Sequence, residues 1–561
     1  MSTPNIGSVT DINLINKDDI NSYWPFPNSS PRETQQFIQE WIQQLDPSIK
    51  YILLEIPVGG GKSPIALNLS GWFSQSFGSS YILTPQKVLQ KQYEESFEKH
   101  LLHSLYGKNN YTCEPKGTNC EVGGLLKPRC NSCPHKAALG QCKSEPNVVL
   151  NYTLALNLFK YVYGREGSPI NHRKLIVFDE AHQLESFLTE FNAVQISEHK
   201  CKRFGIKFKN PKTSREAMNW IETVYVPAIM ERINRDSSEV NNIVNEMEFN
   251  PSSKVTLDQI ELVKNHEEHI KQYNDIVENL LTQTQDQIDD RYVLVGEKDK
   301  NFKFKEVYGR HVFKQLVEPV ADKFIFMSST ILDKDAFCSD LGIDPKQTAF
   351  ISMPSEFPED NRPVVSLPTA KMTYGWDSDD RDRVLDRKRM ISKIKEIMND
   401  IHPDEHGVIH TGSFQIAKWL VENLEGEVPH QIYHHNPGSD YSRDDCIADF
   451  QEPSKAPKVL ISPSVTEGLD LKDDKGRFVI FAKVPFLSLG DAWVKRRQSL
   501  SSKWYSLEAI KAIIQGCGRV VRHKEDYGNC YILDTSIEQL LSYNRKYIPE
   551  WWSDAFVRLG N

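Results

Sequence analysis

Glycine, lysine and serine crowd together at Gly59-Gly60-Gly61-Lys62-Ser63. Two acids stand side by side at Asp179-Glu180, and two arginines lie three residues apart at Arg519 and Arg522. Each group has a chemistry. Glycines let backbone N–H groups close on anionic oxygens, and a helix that starts beside them adds partial positive charge. Lys62 would then reach the β/γ-phosphates of a nucleotide such as ATP, and the Ser63 hydroxyl would sit on Mg²⁺. The pattern G-x-x-x-x-G-K-S/T asks for glycine at position 56, where this chain has Ile56; the core Gly59-x-Gly61-Lys62-Ser63 is intact. Of the paired acids, Asp179 can hold Mg²⁺ through water, while Glu180 can orient and deprotonate an attacking water. Arg519 and Arg522 at that spacing share one helical face. Two guanidiniums presented together suit a triphosphate, and from a separate domain they would act as arginine fingers across a cleft.

These groups need elements to place them. Tyr51-Ile-Leu-Leu54 reads as a buried strand entering the glycine turn, and Pro64 onward as the start of a helix. Tyr81-Ile-Leu-Thr84 is a second buried strand, followed by a helix from Gln86 to His100. Asn147-Val-Val-Leu-Asn151, Lys174-Leu-Ile-Val-Phe and Lys323-Phe-Ile-Phe-Met repeat the strand pattern. Strand, helix and strand at this spacing predict a parallel sheet with crossovers, whose ligands bind beyond the carboxyl ends of the strands. Asp179 and Glu180 fall at such an end, and so do Ser328-Ser-Thr330. A second α/β unit begins near residue 360, with strands at Gly407–His410, Lys458–Ile461 and Arg477–Phe481. A helix there carries Gln515 and both arginines. Upstream, Pro31 opens a helix after a serine cap, with Gln35 on its first turns. A glutamine amide offers the donor and the acceptor that adenine recognition requires. Phe486, after Lys483-Val-Pro485, is placed either to stack on a base or to fill the core.

Two stretches interrupt the first unit. Five of the ten cysteines fall between Cys113 and Cys142, with Cys130-Asn-Ser-Cys133 forming a C-x-x-C pair and further ligands in reach on either side. In a reducing compartment this crowding reads as a metal site, either zinc or an iron–sulfur cluster. The other five cysteines read as small core residues. Residues 195–290 are nearly free of glycine and take helical spacing. Val263, Ile270 and Val277 with Tyr273 and Leu280 predict a packed helical hairpin in which His266 occupies the seam, and a β-hairpin follows around Gly296–Asn301. Net charge is −9 and charged residues make up 25% of the chain, which argues against a generally basic protein but leaves room for a local basic groove. No apolar run reaches membrane-spanning length, and the N-terminus lacks the features of a secretory signal. The expectation is an intracellular protein.

Taken in order, the motifs resemble the XPD/DinG type of iron–sulfur helicase in superfamily 2. They are Ser30-Pro-Arg-Glu-Thr-Gln35, Gly59-Gly-Gly-Lys62-Ser63, Leu83-Thr-Pro85, Gly107-Lys-Asn-Asn-Tyr-Thr-Cys113, Asn151-Tyr152, Asp179-Glu-Ala-His182 (a DEAH box), Met327-Ser-Ser-Thr330, Thr466-Glu-Gly-Leu-Asp470 and Gln515-Gly-Cys-Gly-Arg519-Val-Val-Arg522. The resemblance implies two RecA-like parallel-sheet domains that clamp ATP and Mg²⁺ between them. It also implies a small cysteine-rich cluster insertion and a helical Arch insertion in the first domain. Lys62 and Ser63 would be the phosphate and metal residues, Asp179 and Glu180 the metal-bound acid and the base. Gln515 would position water, Arg519 and Arg522 would be the fingers, Gly468 and Asp470 the coupling loop, and Gln35 the adenine reader. A 4Fe–4S cluster would be held by Cys113, Cys130, Cys133 and Cys142, leaving Cys120 spare.

The expected domains are a polar tail at 1–20, the first RecA-like domain at 21–112, 143–195 and 306–355, the cluster insertion at 113–142, the Arch at 196–305 and the second RecA-like domain at 356–561. The resemblance implies 5′→3′ translocation on single-stranded DNA and unwinding of forked duplex DNA by a monomer, with replication or repair proteins as partners. The compartment would be the cytoplasm, a host cytoplasm for a viral protein, or a nucleus for a eukaryotic one. Two rival readings are a translocase that remodels protein–DNA complexes without unwinding and a zinc-containing nucleic-acid scaffold with weak ATPase activity.

Overall fold

The computed structural model describes residues 19–75, 79–113, 118–120, 133–249, 256–297, 300–437, 441–463, 469 and 471–559. Gly468, Asp470 and Cys130 lie outside the described residues.

Along the chain, α1 (Glu33–Gln43) precedes β1 (Tyr51–Glu55), α2 (Lys62–Ser74), β2 (Ser80–Thr84), α3 (Lys87–Ser96) and β3 (His103–Ser104). A short hairpin of β4 (Thr112–Cys113) and β5 (Thr118–Asn119) leads to α4 (Pro134–Gln141). Then come β6 (Asn147–Asn151), β7 (Arg173–Asp179) and α5 (Leu184–Phe191). The second interruption starts at β8 (Val194–Ser197), runs through α6 (Val226–Phe249) and α7 (Leu257–Ile276), and ends in β9 (Tyr292–Glu297) and β10 (Asn301–Glu306). The chain then returns to the first sheet as β11 (Ala321–Ser328) and β12 (Thr348–Ser352). In space this sheet runs β12-β1-β11-β7-β2-β6-β3, parallel throughout.

Its strands read as unbroken apolar runs because both faces are covered. Successive side chains of a strand point to opposite faces. Tyr51 and Leu53 therefore enter one core with Phe178 and Phe326, whereas Ile52 and Leu54 enter another with Ile65 and Leu69 of α2. Ile56 belongs to that second core and is 2% exposed, its N–H donating to the Ser328 carbonyl at 2.8 Å. The departure from glycine at this position thus adds an apolar side chain to that core just beyond the strand end. A Cβ on Gly60 would meet the Ile56 side chain at 2.5 Å, so the bulk of one residue requires the bareness of the other.

The second domain holds β13 (Val364–Ala370), β14 (Gly407–His410), β15 (Gln431–Tyr433), β16 (Lys458–Ser462), β17 (Phe478–Phe481), β18 (Asn529–Asp534) and β19 (Phe556–Arg558). Its order is β15-β16-β14-β17-β18-β13-β19, again all parallel. The same alternation splits its core, Val408 and Leu460 to one side, Ile409 and Ile461 to the other. Two helices that matter here are α8 (Ala492–Leu500) and α9 (Ser502–Cys517).

The second insertion, expected to be the Arch, is an antiparallel sheet β8-β10-β9 carrying the α6–α7 hairpin. Val263, His266, Ile276 and Leu280 are buried, but Ile270 is 38% exposed and Val277 only half-buried. The seam differs from the expected heptad because His269 takes the inward place beside Phe204, their rings 4.8 Å apart. Phe486 stacks on Tyr505 at 5.4 Å and packs on the second core, which is the structural of its two alternatives.

Candidate active site

The helix expected at Pro31 begins at Glu33, with Arg32 as its N-cap. Gln35 then folds back. Its Oε1 accepts from the Arg32 N–H at 2.9 Å, and its Nε2 donates to the Gly61 carbonyl at 3.1 Å. Arg32 in turn donates to the Gly59 carbonyl at 3.1 Å and pairs with Glu356 at 2.6 Å. The amide expected to read a base is 3% exposed and spent at both ends on the protein, where it braces the phosphate loop. Gly59 and Gly61 have φ of 77° and 70°, the left-handed region that favours glycine. A Cβ on Gly61 would lie 2.3 Å from the Arg32 and Gln35 side chains, and one on Gly59 would lie 2.3 Å from Phe357 and 3.1 Å from the Arg522 carbonyl. The loop is therefore closely covered from both domains.

Lys62 and Ser63 open α2 directly after the loop. Lys62 Nζ is 3.3 Å from Glu180 Oε1. Asp179 ends β7 and is 5% exposed, with Oδ1 accepting from the Glu180 N–H at 3.0 Å and Oδ2 from the Tyr93 hydroxyl at 3.1 Å. Burial, and then the Glu180 charge beside it, push Asp179 up to about 6. In Glu180 burial also acts upward, but Lys62, His182 and Arg519 outweigh it and hold the carboxyl below its usual range. Glu180 has φ 52°, a conformation that costs a non-glycine residue of order 1–3 kcal/mol and that aims its side chain off the strand end. The donor set of Ser63 and Asp179 is all oxygen, which suits a hard divalent cation.

His182 is pulled down to about 4 by burial, so its ring is neutral at pH 7. It lies 3.4 Å from Glu180 and hydrogen-bonds the Ser328 hydroxyl at 2.9 Å. Ser328 accepts from the Thr330 N–H at 3.0 Å, and Gln515 of the second domain donates to Thr330 Oγ1 at 2.9 Å. A continuous polar path thus runs from the acid to the opposite domain. Glu55, buried at the end of β1, accepts from the Leu332 N–H and from Ser352 at 2.7 Å each and so fixes the strand-end loop.

Gln515 is on α9, but that helix stops at Cys517. Arg519 and Arg522 therefore do not share a helical face. Gly518 packs so tightly on Val58 that a Cβ there would fall 2.9 Å from its methyl, and Val520 and Val521 turn into the core. Both arginines still face the cleft, a 490 Å³ space whose lining includes Lys62, Ser63, Asp179, Glu180, Gln515, Arg519 and Arg522. The Arg519 guanidinium approaches the Leu469 carbonyl at 3.5 Å. A larger hollow of 810 Å³ lies under Asn21–Pro31 and includes none of these groups.

Among the described cysteines, Cys120 and Cys133 bring their Sγ atoms to 3.3 Å, with Cys113 buried beside them on the β4–β5 hairpin. Cys133 caps α4. Its burial acts upward, but N–H groups of the first turn and Cys120 hold its thiol below the usual range. Cys142, the expected fourth ligand, ends α4 inside the core of the first sheet. Its thiol donates to the Ala138 carbonyl at 3.5 Å, and burial pushes it up to about 12. Cys120, expected to be spare, lies against Cys133, and burial and then Cys133 push its thiol up to about 11; Cys142 packs in the core of the first sheet. Sequence reasoning also passed over Tyr93 and Arg32. Nothing in their own spacing marks them, since each acts on a partner distant in sequence.

Comparison with known proteins agrees with this geometry. Residues 394–555 match the helicase C-terminal domain family, and residues 28–208 match the family described as type III restriction enzyme, res subunit. A Regulator of telomere elongation helicase 1 homolog of Drosophila grimshawi is 39% identical over 103 residues, 15% of this chain and 10% of that protein. The Anopheles gambiae homolog is 30% identical over 142 residues, 22% of this chain and 14% of that protein. The alignments thus span about a tenth of the length of these relatives. Among solved structures, an XPD helicase superposes with a TM-score of 0.58 at 16% identity, covering 94% of this chain and 99% of that one. The S. tokodaii Xpd4 structure gives 0.52 at 15% identity, covering 94% and 100%. The chain thus carries a match to the helicase C-terminal domain family in its second half and shares the two-domain fold of the solved XPD structures, and its motif order resembles the XPD/DinG type of superfamily 2.

Proposed function

We propose that this protein is an ATP-dependent DNA helicase that moves 5′→3′ along single-stranded DNA and separates forked duplex. The observation that carries the reading is the convergence on one cleft of Lys62, Ser63, Asp179 and Glu180 from one domain and Gln515, Arg519 and Arg522 from the other. Backbone N–H groups of the glycine loop receive the phosphates. Lys62 leaves Glu180 for the incoming triphosphate, and Glu180, relieved of that partner, takes a proton from the attacking water. Arg519 and Arg522 stabilise charge on the transferring phosphoryl group. Ser63 and Asp179 would hold a magnesium ion, which would supply charge neutralisation to the phosphates. Gln515 reports the change across the interface through Thr330 and Ser328. Cleft closure and reopening then shift one domain against the other along a strand gripped mainly by its phosphates.

Cys113, Cys120 and Cys133 are the described residues that would hold the metal of the first insertion. An iron–sulfur cluster there would stiffen the insertion as part of a wedge with the Arch. Polarity and substrate come from the family resemblance.

Strand displacement on duplexes with a 5′ or a 3′ single-stranded tail tests the reading, with Lys62→Ala as control. Unwinding from the 5′ tail alone, lost in the variant, is the expected result. Unwinding from the 3′ tail alone overturns the polarity. DNA-stimulated hydrolysis without unwinding, in protein whose metal content has been verified, replaces the helicase by a translocase.

A further inference from the structure

We propose that Tyr93 is a positioning residue of the divalent-cation site, orienting through its phenol the Asp179 carboxylate that would hold the ion. The inference rests on the reading of the cleft as a nucleotide site. Tyr93 lies on α3, is 2% exposed, and is packed from behind by Phe97 with ring centroids 6.0 Å apart. Its hydroxyl donates to Asp179 Oδ2 at 3.1 Å.

The Tyr93 proton goes to one Asp179 oxygen, and the other is already taken by the Glu180 N–H. The carboxylate is thus fixed in rotation from both sides. Outer partners of this kind orient ligands, and their loss costs 10–100-fold in metal affinity. Asp179 is not near Tyr93 in sequence; the crossover from β2 into α3 brings the ring under the end of β7.

The test is Tyr93→Phe, which keeps the ring and removes only the hydroxyl. Mn²⁺ binding by the full chain in the presence of ADP, followed by electron paramagnetic resonance, reads the site without turnover. Expected is a loss of affinity of about tenfold, with Mg²⁺ half-saturation of ATP hydrolysis raised in step and kcat at saturating Mg²⁺ retained. Tyr81→Phe is the control, because Tyr81 is an equally buried phenol whose hydroxyl donates to the Asn171 carbonyl at 2.9 Å on the same sheet. It should lower Tm as much and leave Mn²⁺ affinity alone. Should Tyr93→Phe prove less stable, Mn²⁺ affinity is read below its Tm, against Tyr81→Phe at the same folded fraction. Unchanged Mn²⁺ affinity in Tyr93→Phe, or equal losses in both tyrosine variants, overturns the proposal. Failure of the wild-type protein to hydrolyse ATP would instead overturn the proposed function, and the Mn²⁺ measurement would still decide for Tyr93.

Discussion

Single atoms decide what the phosphate loop tolerates. Gly61 stands at φ 70° with Arg32 and Gln35 both 2.3 Å from any Cβ it might carry. Gly61→Ala therefore strains the backbone and displaces the two side chains that brace the loop. The expected result is nucleotide affinity down more than tenfold, read by titration with a fluorescent ADP analogue, at a stability cost of about 1–3 kcal/mol. The cysteines make a second prediction at this scale. Cys120→Ser should strip the iron and the visible absorbance from protein purified without oxygen, whereas Cys142→Ser should keep both and lower Tm, because it places a hydroxyl in an apolar core. The reverse pattern would restore Cys142 as the ligand. The sequence displayed the nucleotide residues plainly, because a loop, a strand end and a lysine must be adjacent to work. It was silent about which of five cysteines meet, because spacing does not say which thiols the fold turns toward one another.

At the level of elements, the apolar runs that announced β1, β2, β7 and β11 are legible because a parallel strand covered on both faces has no polar side to confuse it. β13 was missed where Pro368 and a register shift beyond Ser366 break the pattern, and β15 because three residues carry no period. The end of α9 was misread for a related reason. Helical spacing continues through Arg522 on paper, but close packing of Gly518 on Val58 stops the helix at Cys517. That stop places Gln515 on a rigid helix and the arginines on the loop beyond it, so the two can respond differently to the nucleotide. Thr330→Val removes the hydroxyl that Gln515 reaches and keeps the shape. Nucleotide binding should stay within about twofold while DNA-stimulated hydrolysis falls about tenfold, the loss of roughly one hydrogen bond's worth of coupling. Equal stimulation in variant and wild type would mean that the polar path does not carry the signal.

Across the whole molecule, the two domains and the base of the second insertion meet around one buried arginine. Arg497 of α8 is 2% exposed and pairs with Glu185 of α5 at 2.7 and 3.2 Å and with Asp340 at 3.0 Å. Beside it, Trp493 donates to the Glu306 carbonyl at 2.7 Å, and Trp504 stacks over the guanidinium at 4.6 Å. Two carboxylates share the Arg497 cation, with the Lys511 ammonium acting on both from farther off. Burial, and then the Asp340 charge, push Glu185 up to about 8 even though Arg497 opposes the shift. The folded value stands above the ordinary carboxylate value, so folding takes up a proton here. The stabilisation is complete below about pH 4.5 and is lost as pH rises through about 8. Domain docking should therefore weaken between pH 6 and 9, seen as a falling Tm and faster limited proteolysis between the domains. Glu185→Gln, which cannot ionise, should flatten that dependence and melt above wild type at pH 9. Arg497→Met should do the opposite at every pH, because it leaves two buried acids without their cation, a loss on the order of 3–5 kcal/mol. A Tm of Glu185→Gln that tracks wild type from pH 6 to 9 would show that the proton sits elsewhere in the trio, and Asp340→Asn would then be the variant that flattens the curve.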